Sequence, residues 1–260
     1  MAEENKYKHI QKRKSMRKVI LLFLGVLLTC SVFAQEPGAT EKNAANAAMR
    51  SKNYPEAFKQ LEAYLKIVEY KDNAYVYNTG VIASKLKNFA AAEKYFDMAI
   101  KNKYKAKAAY HAKAVAQKEQ KKEAEMLATL QEGMKFAPGD MKLETMYASH
   151  FMKKGQDFQK AGNEAKAAEN YTQITNLSNK GFKVQGFVSL AGLFFNNGAK
   201  ILQDANPIAN TDKAKFEAEK AKAMADFKKA KDYLVQAQSL DAANQDVKDL
   251  MKQVNEAMAK

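Results

Sequence analysis

Few side chains in this 260-residue chain are spaced for catalysis. Of its three histidines, His111 and His150 lie outside the N-terminal segment, and neither has the cysteine or carboxylate pattern around it that would complete a metal site. A Gly-rich phosphate loop, a Gly-x-Ser-x-Gly motif and a His-Glu-x-x-His motif are all absent from the sequence. We therefore expect a non-enzymatic protein without a cofactor or metal, in which both histidines have structural roles.

The single cysteine, Cys30, lies in a segment with the three-part layout of a secretory signal peptide. Basic residues at 12–14 and 17–18 precede an apolar run at 19–28. Val32-Phe33-Ala34 then supplies residues that signal peptidase accepts before a cut.

We expect residues 1–34 to be removed on export, with Met16 as an alternative start of the chain. The apolar run is shorter than the ~20 residues that span a bilayer, which disfavours the alternative of a retained anchor. A second alternative is lipidation of Cys30, because Leu27-Leu28-Thr29-Cys30 loosely resembles a bacterial lipoprotein box. The predicted location is the periplasm, with lipid anchoring or secretion as alternatives. A cleaved chain would keep no cysteine, and hence no disulfide.

Positive charge is in excess along the chain, with 43 Lys and Arg against 29 Asp and Glu. Residues 1–34 hold seven basic and two acidic residues, which leaves 36 against 27 in the remainder. Such an excess is either the ordinary solvated surface of Lys-rich helices or an attraction for acidic peptides, anionic lipid or glycan. Nucleic acid is not expected as a partner, since an exported protein would not meet it and no nucleic-acid-binding motif is present.

The elements that would position any binding residues form a repeat. Lys87-Asn88-Phe89 echoes Lys52-Asn53-Tyr54 thirty-five residues earlier, and each is followed by an Ala and, four positions on, a large apolar residue (Ala57 and Leu61, Ala92 and Phe96). Two sets of positions fit best: Gly80, Ala92, Phe96 and Ala99, and Gly155, Phe158, Ala167 and Tyr171. A period of this length, in a chain rich in helix formers, predicts an array of helix-turn-helix modules.

These modules resemble tetratricopeptide (TPR) repeats. The resemblance covers residues 38–181 as four repeats and returns at 184–198 and 227–244 as an interrupted fifth. It implies an all-α fold, a right-handed α-solenoid of about five repeats. We interpret residues 182–245 as the fifth repeat, with its two helices elongated into an antiparallel hairpin, and 246–260 as a C-terminal capping helix.

In this family the first helices of successive repeats line a groove that binds protein segments. Carried over residue by residue, the resemblance implies a groove lined by Lys42, Asn46, Arg50, Tyr77, Asn78, Lys85, His111, Lys118, Met152, Lys153 and Lys160. Ammonium and amide donors suit carboxylate oxygens. The predicted function is therefore an interaction scaffold that binds an extended acidic segment in the bacterial envelope.

Two alternatives stay open. One is an architectural subunit that self-associates or docks through the long hairpin, and the other is a charge-driven binder of anionic glycan or lipid. Lys42, Asn46 and Asn78 also match three positions of the carboxylate clamp of chaperone-binding members, but Ala108 and Ala112 stand where that clamp has basic residues. We favour the interpretation of these three as ordinary repeat residues.

Overall fold

The computed structural model describes residues 36–259, and these form α-helices, one short 3-10 helix and no β-strand. The helices are α1 (Ala39–Arg50), α2 (Tyr54–Ile67), α3 (Asn73–Lys85), α4 (Phe89–Lys101), α5 (Ala106–Glu119), α6 (Glu123–Phe136), α7 (Met141–Lys160), α8 (Glu164–Thr175), α9 (Lys180–Ala205), α10 (Lys213–Leu240) and α11 (Gln245–Met258). This confirms the all-α prediction. Within the described residues, none of these helices combines the length and apolar character needed to cross a membrane. The predicted signal peptide and Cys30 lie outside the described residues.

The recurring Lys-Asn pair has a local structural cause. Four turns between successive helices each contain one residue with left-handed backbone, and these residues are Lys52, Lys87, Lys121 and Gly162. A left-handed residue after the last helical turn ends a helix. In three of the four turns the next residue is an asparagine whose side chain accepts a hydrogen bond from the backbone N–H three positions on, namely Asn53, Asn88 and Asn163. Each pair therefore stops one helix and starts the next.

The described residues divide into two compact units, an N-terminal unit (36–86) and a C-terminal unit (87–259). The N-terminal unit contains α1 to α3 around a small core that includes Ala45, Ala57 and Leu61, all fully buried. Alanine at two of these positions lets the helices approach closely, and Leu61 and Ile82 are the large aliphatic side chains buried between them.

The C-terminal unit contains α4 to α11 and has two hydrophobic clusters. One joins α5, α6, α7, α8 and α9, with Leu130, Tyr171 and Ile174 among its buried members. The other joins α9, α10 and α11 around Phe227 and Leu234. Phe187, Phe194 and Phe195 also pack against this second cluster.

Helix α7 explains a seven-residue slip in the repeat. It is 20 residues long and starts at Met141, where the Asp140 carboxylate caps its N-terminus by accepting from the N–H groups of Lys142 and Leu143. The early start absorbs about seven extra residues that precede the fourth repeat. Further along α7, Gly155 leaves room for the Tyr171 ring, since an added Cβ would lie 2.4 Å from that ring.

The fifth repeat is interrupted by helix extension. At Gly198, where the spacing predicts a turn, α9 continues to Ala205, and after a 3-10 turn at Asn206–Ile208 the chain returns as α10. The Asp212 carboxylate caps the returning helix by accepting from Lys215 N–H. Gly198 packs against Phe227, because an added Cβ would lie 2.7 Å from the Phe227 ring. The elongated hairpin is confirmed, and α11 packs against both of its helices.

Candidate peptide-binding site

The candidate residues of the N-terminal unit are partly occupied by contacts within that unit. Lys42 Nζ lies 5.5 Å and 5.4 Å from the ring centres of Tyr64 and Tyr75 and 3.4 Å from a Glu36 carboxylate oxygen. Asn46 and the Tyr75 hydroxyl exchange hydrogen bonds of 2.9 and 3.0 Å. These two side chains therefore have structural roles in holding α1 against its neighbours.

The remaining N-terminal candidates lie on α1 and α3. Arg50 and Lys85 are exposed, and Lys85 Nζ lies 5.0 Å from the centre of the Tyr54 ring. Tyr77 and Asn78 are half-buried. The prediction that candidates from both units line one groove stays a prediction.

In the C-terminal unit the structure brings two predicted residues together. Lys118 near the end of α5 and Lys153 on α7 line the same cleft, which has a volume of about 570 Å³. We call it the α5–α7 cleft. Its lining residues are Lys118 from α5, Glu123 and Met126 from α6, and Met146, Ser149, His150, Lys153, Lys154 and Asp157 from α7.

Cations outnumber anions in the α5–α7 cleft. Lys154 pairs with Glu123 across two helices, and Lys153 pairs with Asp157 at 2.8 Å along α7. Lys118 is exposed, and within residues 36–259 it has no carboxylate partner within 4.0 Å. The Lys118 ammonium group is therefore not neutralised. An incoming anion could also interact with the lysines of the two ion pairs.

His150 also lines this cleft, although the sequence interpretation gave it a structural role. Its side chain is 18% exposed, and its Nε2 atom is buried without a hydrogen-bond partner among the described residues. Burial lowers the pKa of His150, the Glu123 carboxylate opposes that shift, and the ammonium groups of Lys154 and Lys118 add to it. The imidazole is therefore mainly neutral near pH 7.

The cleft also has an apolar component. Met126 is buried and Met146 is half-buried, and both line the cleft beside the charged groups. Methionine adapts its shape to varied partners. The cleft can therefore bind a side chain that has an apolar part and an anionic end. The methionines would contact the apolar part, and the Lys118 ammonium group and the His150 imidazole would interact with the anionic end.

The other candidates of the C-terminal unit lie outside the α5–α7 cleft. Met152 is half-buried, and its sulfur accepts a hydrogen bond from the Ser189 hydroxyl of α9 at 3.6 Å. Lys160 is exposed at the end of α7. His111 is half-buried, and burial, followed by the Lys142 ammonium, lowers its pKa against the opposing influence of Asp140.

A signal for the missed residues exists in the sequence. Met146, His150, Lys153 and Asp157 recur at spacings of three and four residues, which places them on one face of α7. The family-based assignment for this repeat instead took the face of Met152, Lys153 and Lys160. Only Lys153 is common to both sets, because the two faces differ by part of one helical turn.

Helix-turn-helix modules with small residues at their crossings and a lined cleft define an all-α repeat protein of the interaction class. A TPR repeats protein from Bacteroides fragilis has a crystal structure with a TM-score of 0.80 to this chain and 42% sequence identity, over 84% of this chain and 98% of that one. This chain belongs to the TPR repeat proteins.

More distant structures resemble the chain only weakly. The TPR domain of P58(IPK) shares 12% identity at a TM-score of 0.41, covering 85% of this chain and 66% of that domain chain. The MamA protein shares 14% identity at a TM-score of 0.39, covering 80% of this chain and 95% of its own. Similarity at this level carries no information on function. No protein-family model and no curated protein matches the chain.

Proposed function

We propose that this protein is a non-enzymatic adaptor of the bacterial envelope that binds an extended acidic protein segment in the α5–α7 cleft. TPR arrays present binding surfaces built from stacked repeats, and membership of that family supports an interaction role. In this proposal residues 1–34 direct export to the periplasm, 38–181 and 182–245 form the array, and 246–260 cap it.

The observation that carries the proposal is the exposed ammonium group of Lys118 beside an unpaired Nε2 of His150 in a cleft of about 570 Å³. In this proposal a carboxylate of the ligand accepts a hydrogen bond from the Lys118 ammonium group and lies near the His150 imidazole. Charge-assisted hydrogen bonds of this kind are about twice as strong as neutral ones. After removal of residues 1–34 the chain keeps 36 Lys and Arg against 27 Asp and Glu, and this positive excess favours the approach of an acidic partner from a distance.

The proposal predicts selective binding of an acidic peptide. The probe is a fluorescein-labelled peptide of alternating Glu and Ser, and its matched control has Gln in place of Glu. We expect measurable binding of the Glu peptide by fluorescence anisotropy and about tenfold weaker binding by the variant Lys118→Glu/Lys153→Glu, because two attractive charges become repulsive. Raising the salt concentration should weaken binding to the wild type.

The matched protein control is Lys228→Glu/Lys248→Glu, which reverses two exposed lysines on α10 and α11. Both variants change the net charge by the same amount. A difference in their affinity for the peptide therefore reports the position of the substituted lysines. Equal affinity for the Glu and Gln peptides, or equal losses in both variants, would exclude the α5–α7 cleft as the binding site.

A further inference from the structure

The imidazole of His150 has unused hydrogen-bonding capacity at the place where a ligand would bind. Two buried side-chain polar atoms have no hydrogen-bond partner within residues 36–259, namely Gln117 Oε1 and His150 Nε2. Gln117 is not among the residues that line the α5–α7 cleft, whereas His150 is. Buried polar groups without a partner are rare in folded proteins, and each requires an explanation.

The charged groups around His150 come from every element that forms the cleft. From α6, the nearest Glu123 carboxylate oxygen is 3.6 Å from Nε2, too far for a hydrogen bond, and the same carboxylate is already paired with Lys154 of α7. Lys118 acts on the imidazole from α5. Lys121, in the turn before α6, lines a smaller adjoining cleft of about 250 Å³ together with His150.

Without a ligand, these neighbours favour the neutral imidazole, but one additional anion nearby would favour its protonation. Burial and two ammonium groups lower the pKa of His150, and only one carboxylate, shared with a lysine, opposes them. A second carboxylate brought by a ligand would reverse this balance, because an opposite charge within ~4–6 Å favours the charged form of an ionisable group.

We infer that His150 takes up a proton from solvent when the acidic segment binds, and that a carboxylate of that segment stabilises the resulting imidazolium. This inference rests on the proposed function and adds a specificity-determining residue to it. His150 distinguishes an anionic ligand from an isosteric amide, since only a carboxylate stabilises the imidazolium.

The direction of the pH dependence follows from linkage. The pKa of His150 is higher in the complex than in the free protein, so binding tightens as the pH falls through the bound value. The gain in affinity is complete below the pKa of His150 in the free protein, and it is lost above the pKa of His150 in the complex. The affinity of the ligand should therefore increase from mildly alkaline to mildly acidic conditions, where the glutamate side chains of the peptide remain ionised.

The test measures the dissociation constant of the Glu/Ser peptide between about pH 8 and about pH 5.5 for the wild type, His150→Gln and His111→Gln. We expect about tenfold tighter binding at the acidic end for the wild type and His111→Gln, since raising a pKa by one unit corresponds to a tenfold change in affinity. Glutamine keeps a hydrogen-bond donor but does not titrate, so His150→Gln should bind with little dependence on pH. The melting temperature of each variant checks that it folds.

A direct measurement accompanies this series. The imidazole resonance of His150 followed by NMR should titrate at higher pH when the peptide is present than when it is absent. A wild type that binds the Glu peptide equally at all these pH values, or a His150→Gln variant with the full pH dependence, would overturn the inference and leave the binding site in place. Failure of the wild type to distinguish Glu from Gln peptide at any pH would overturn both proposals.

Discussion

At the scale of single residues, the carboxylate of Glu144 on α7 shows how a buried charge is accommodated in the C-terminal unit. Glu144 is 1% exposed. Its oxygens accept hydrogen bonds from the backbone N–H groups of Gly139 at 3.1 Å, Ser178 at 3.1 Å and Asn179 at 2.9 Å. Three backbone donors from the turns before α7 and α9 thus compensate the desolvation of one carboxylate. Glu144 therefore links two consecutive repeats through hydrogen bonds.

Removing that acceptor should destabilise the protein strongly. We predict that Glu144→Gln lowers the free energy of unfolding by about 2–3 kcal/mol, because the new amide group places donors against backbone N–H groups and leaves one of them unsatisfied. Urea unfolding followed by circular dichroism measures the effect. The control Glu132→Gln changes an exposed glutamate of α6 and should be nearly neutral. A similar urea midpoint for both variants would show that the turns find other acceptors.

At the scale of elements, the turns between paired helices follow one design with one exception in residue type. The left-handed position is lysine in three turns, with φ of 59° at Lys52, 57° at Lys87 and 59° at Lys121, and it is glycine in the fourth, with φ of 71° at Gly162. A residue with a Cβ is strained in this conformation, whereas glycine adopts it without a steric penalty. The three lysine turns therefore contain strain that the fourth does not.

Reciprocal substitutions should reveal that strain. We predict that Gly162→Ala lowers the free energy of unfolding by about 1 kcal/mol and that Lys121→Gly raises it by a similar or smaller amount. An added Cβ at Gly162 has no other atom within 4 Å, so the alanine effect reports backbone conformation alone. Thermal unfolding of both variants provides the measurement. Destabilisation by Lys121→Gly would mean that the lysine side chain contributes more than its backbone strain costs.

At the scale of the whole molecule, carboxylates paired with lysines and amides link stability to pH. In the C-terminal unit, burial alone would raise the pKa of Glu93, but hydrogen bonds from Lys122, Gln117 and Gln120 outweigh it and hold the pKa below its ordinary value of 4.5. Asp97, paired with Lys113 and Lys101, has a pKa lowered in the same way. A carboxyl group with a lowered pKa in the folded state stabilises the fold above the unfolded pKa, and this contribution is lost as the pH falls through the folded value.

Acid should therefore destabilise the protein. We predict a falling melting temperature between about pH 5 and about pH 3, where these carboxylates become protonated and the excess of positive charge grows. Glu93→Gln should reduce the slope of melting temperature against pH, because one of the linked groups no longer titrates. Glu119→Gln, which changes an exposed glutamate of α5, should leave the slope nearly unchanged. A wild-type melting temperature independent of pH in this range would contradict the prediction.

Much of the fold could be predicted because its signals are local. The Lys52-Asn53 and Lys87-Asn88 pairs combine a left-handed turn residue with a helix cap, and both effects act within a few residues of the chain. The start of α7 near Met141 and the cap at Asp212 are equally local. The site was only partly predictable. The resemblance to TPR repeats implied Lys118 and Lys153, but neither that resemblance nor residue type indicates that a particular imidazole nitrogen lacks a partner.

By itself, the sequence determined the all-α repeat class, the seven-residue slip and the extension of the fifth repeat, since helix propensity, capping and periodicity depend on near neighbours. Tertiary structure alone decided which face of α7 meets α5 and α6. It thereby placed His150 and Met146 in the cleft and left Met152 against α9. The physical reason is that burial, unpaired polar atoms and shifted pKa values depend on groups that are distant in sequence and meet only when the helices pack.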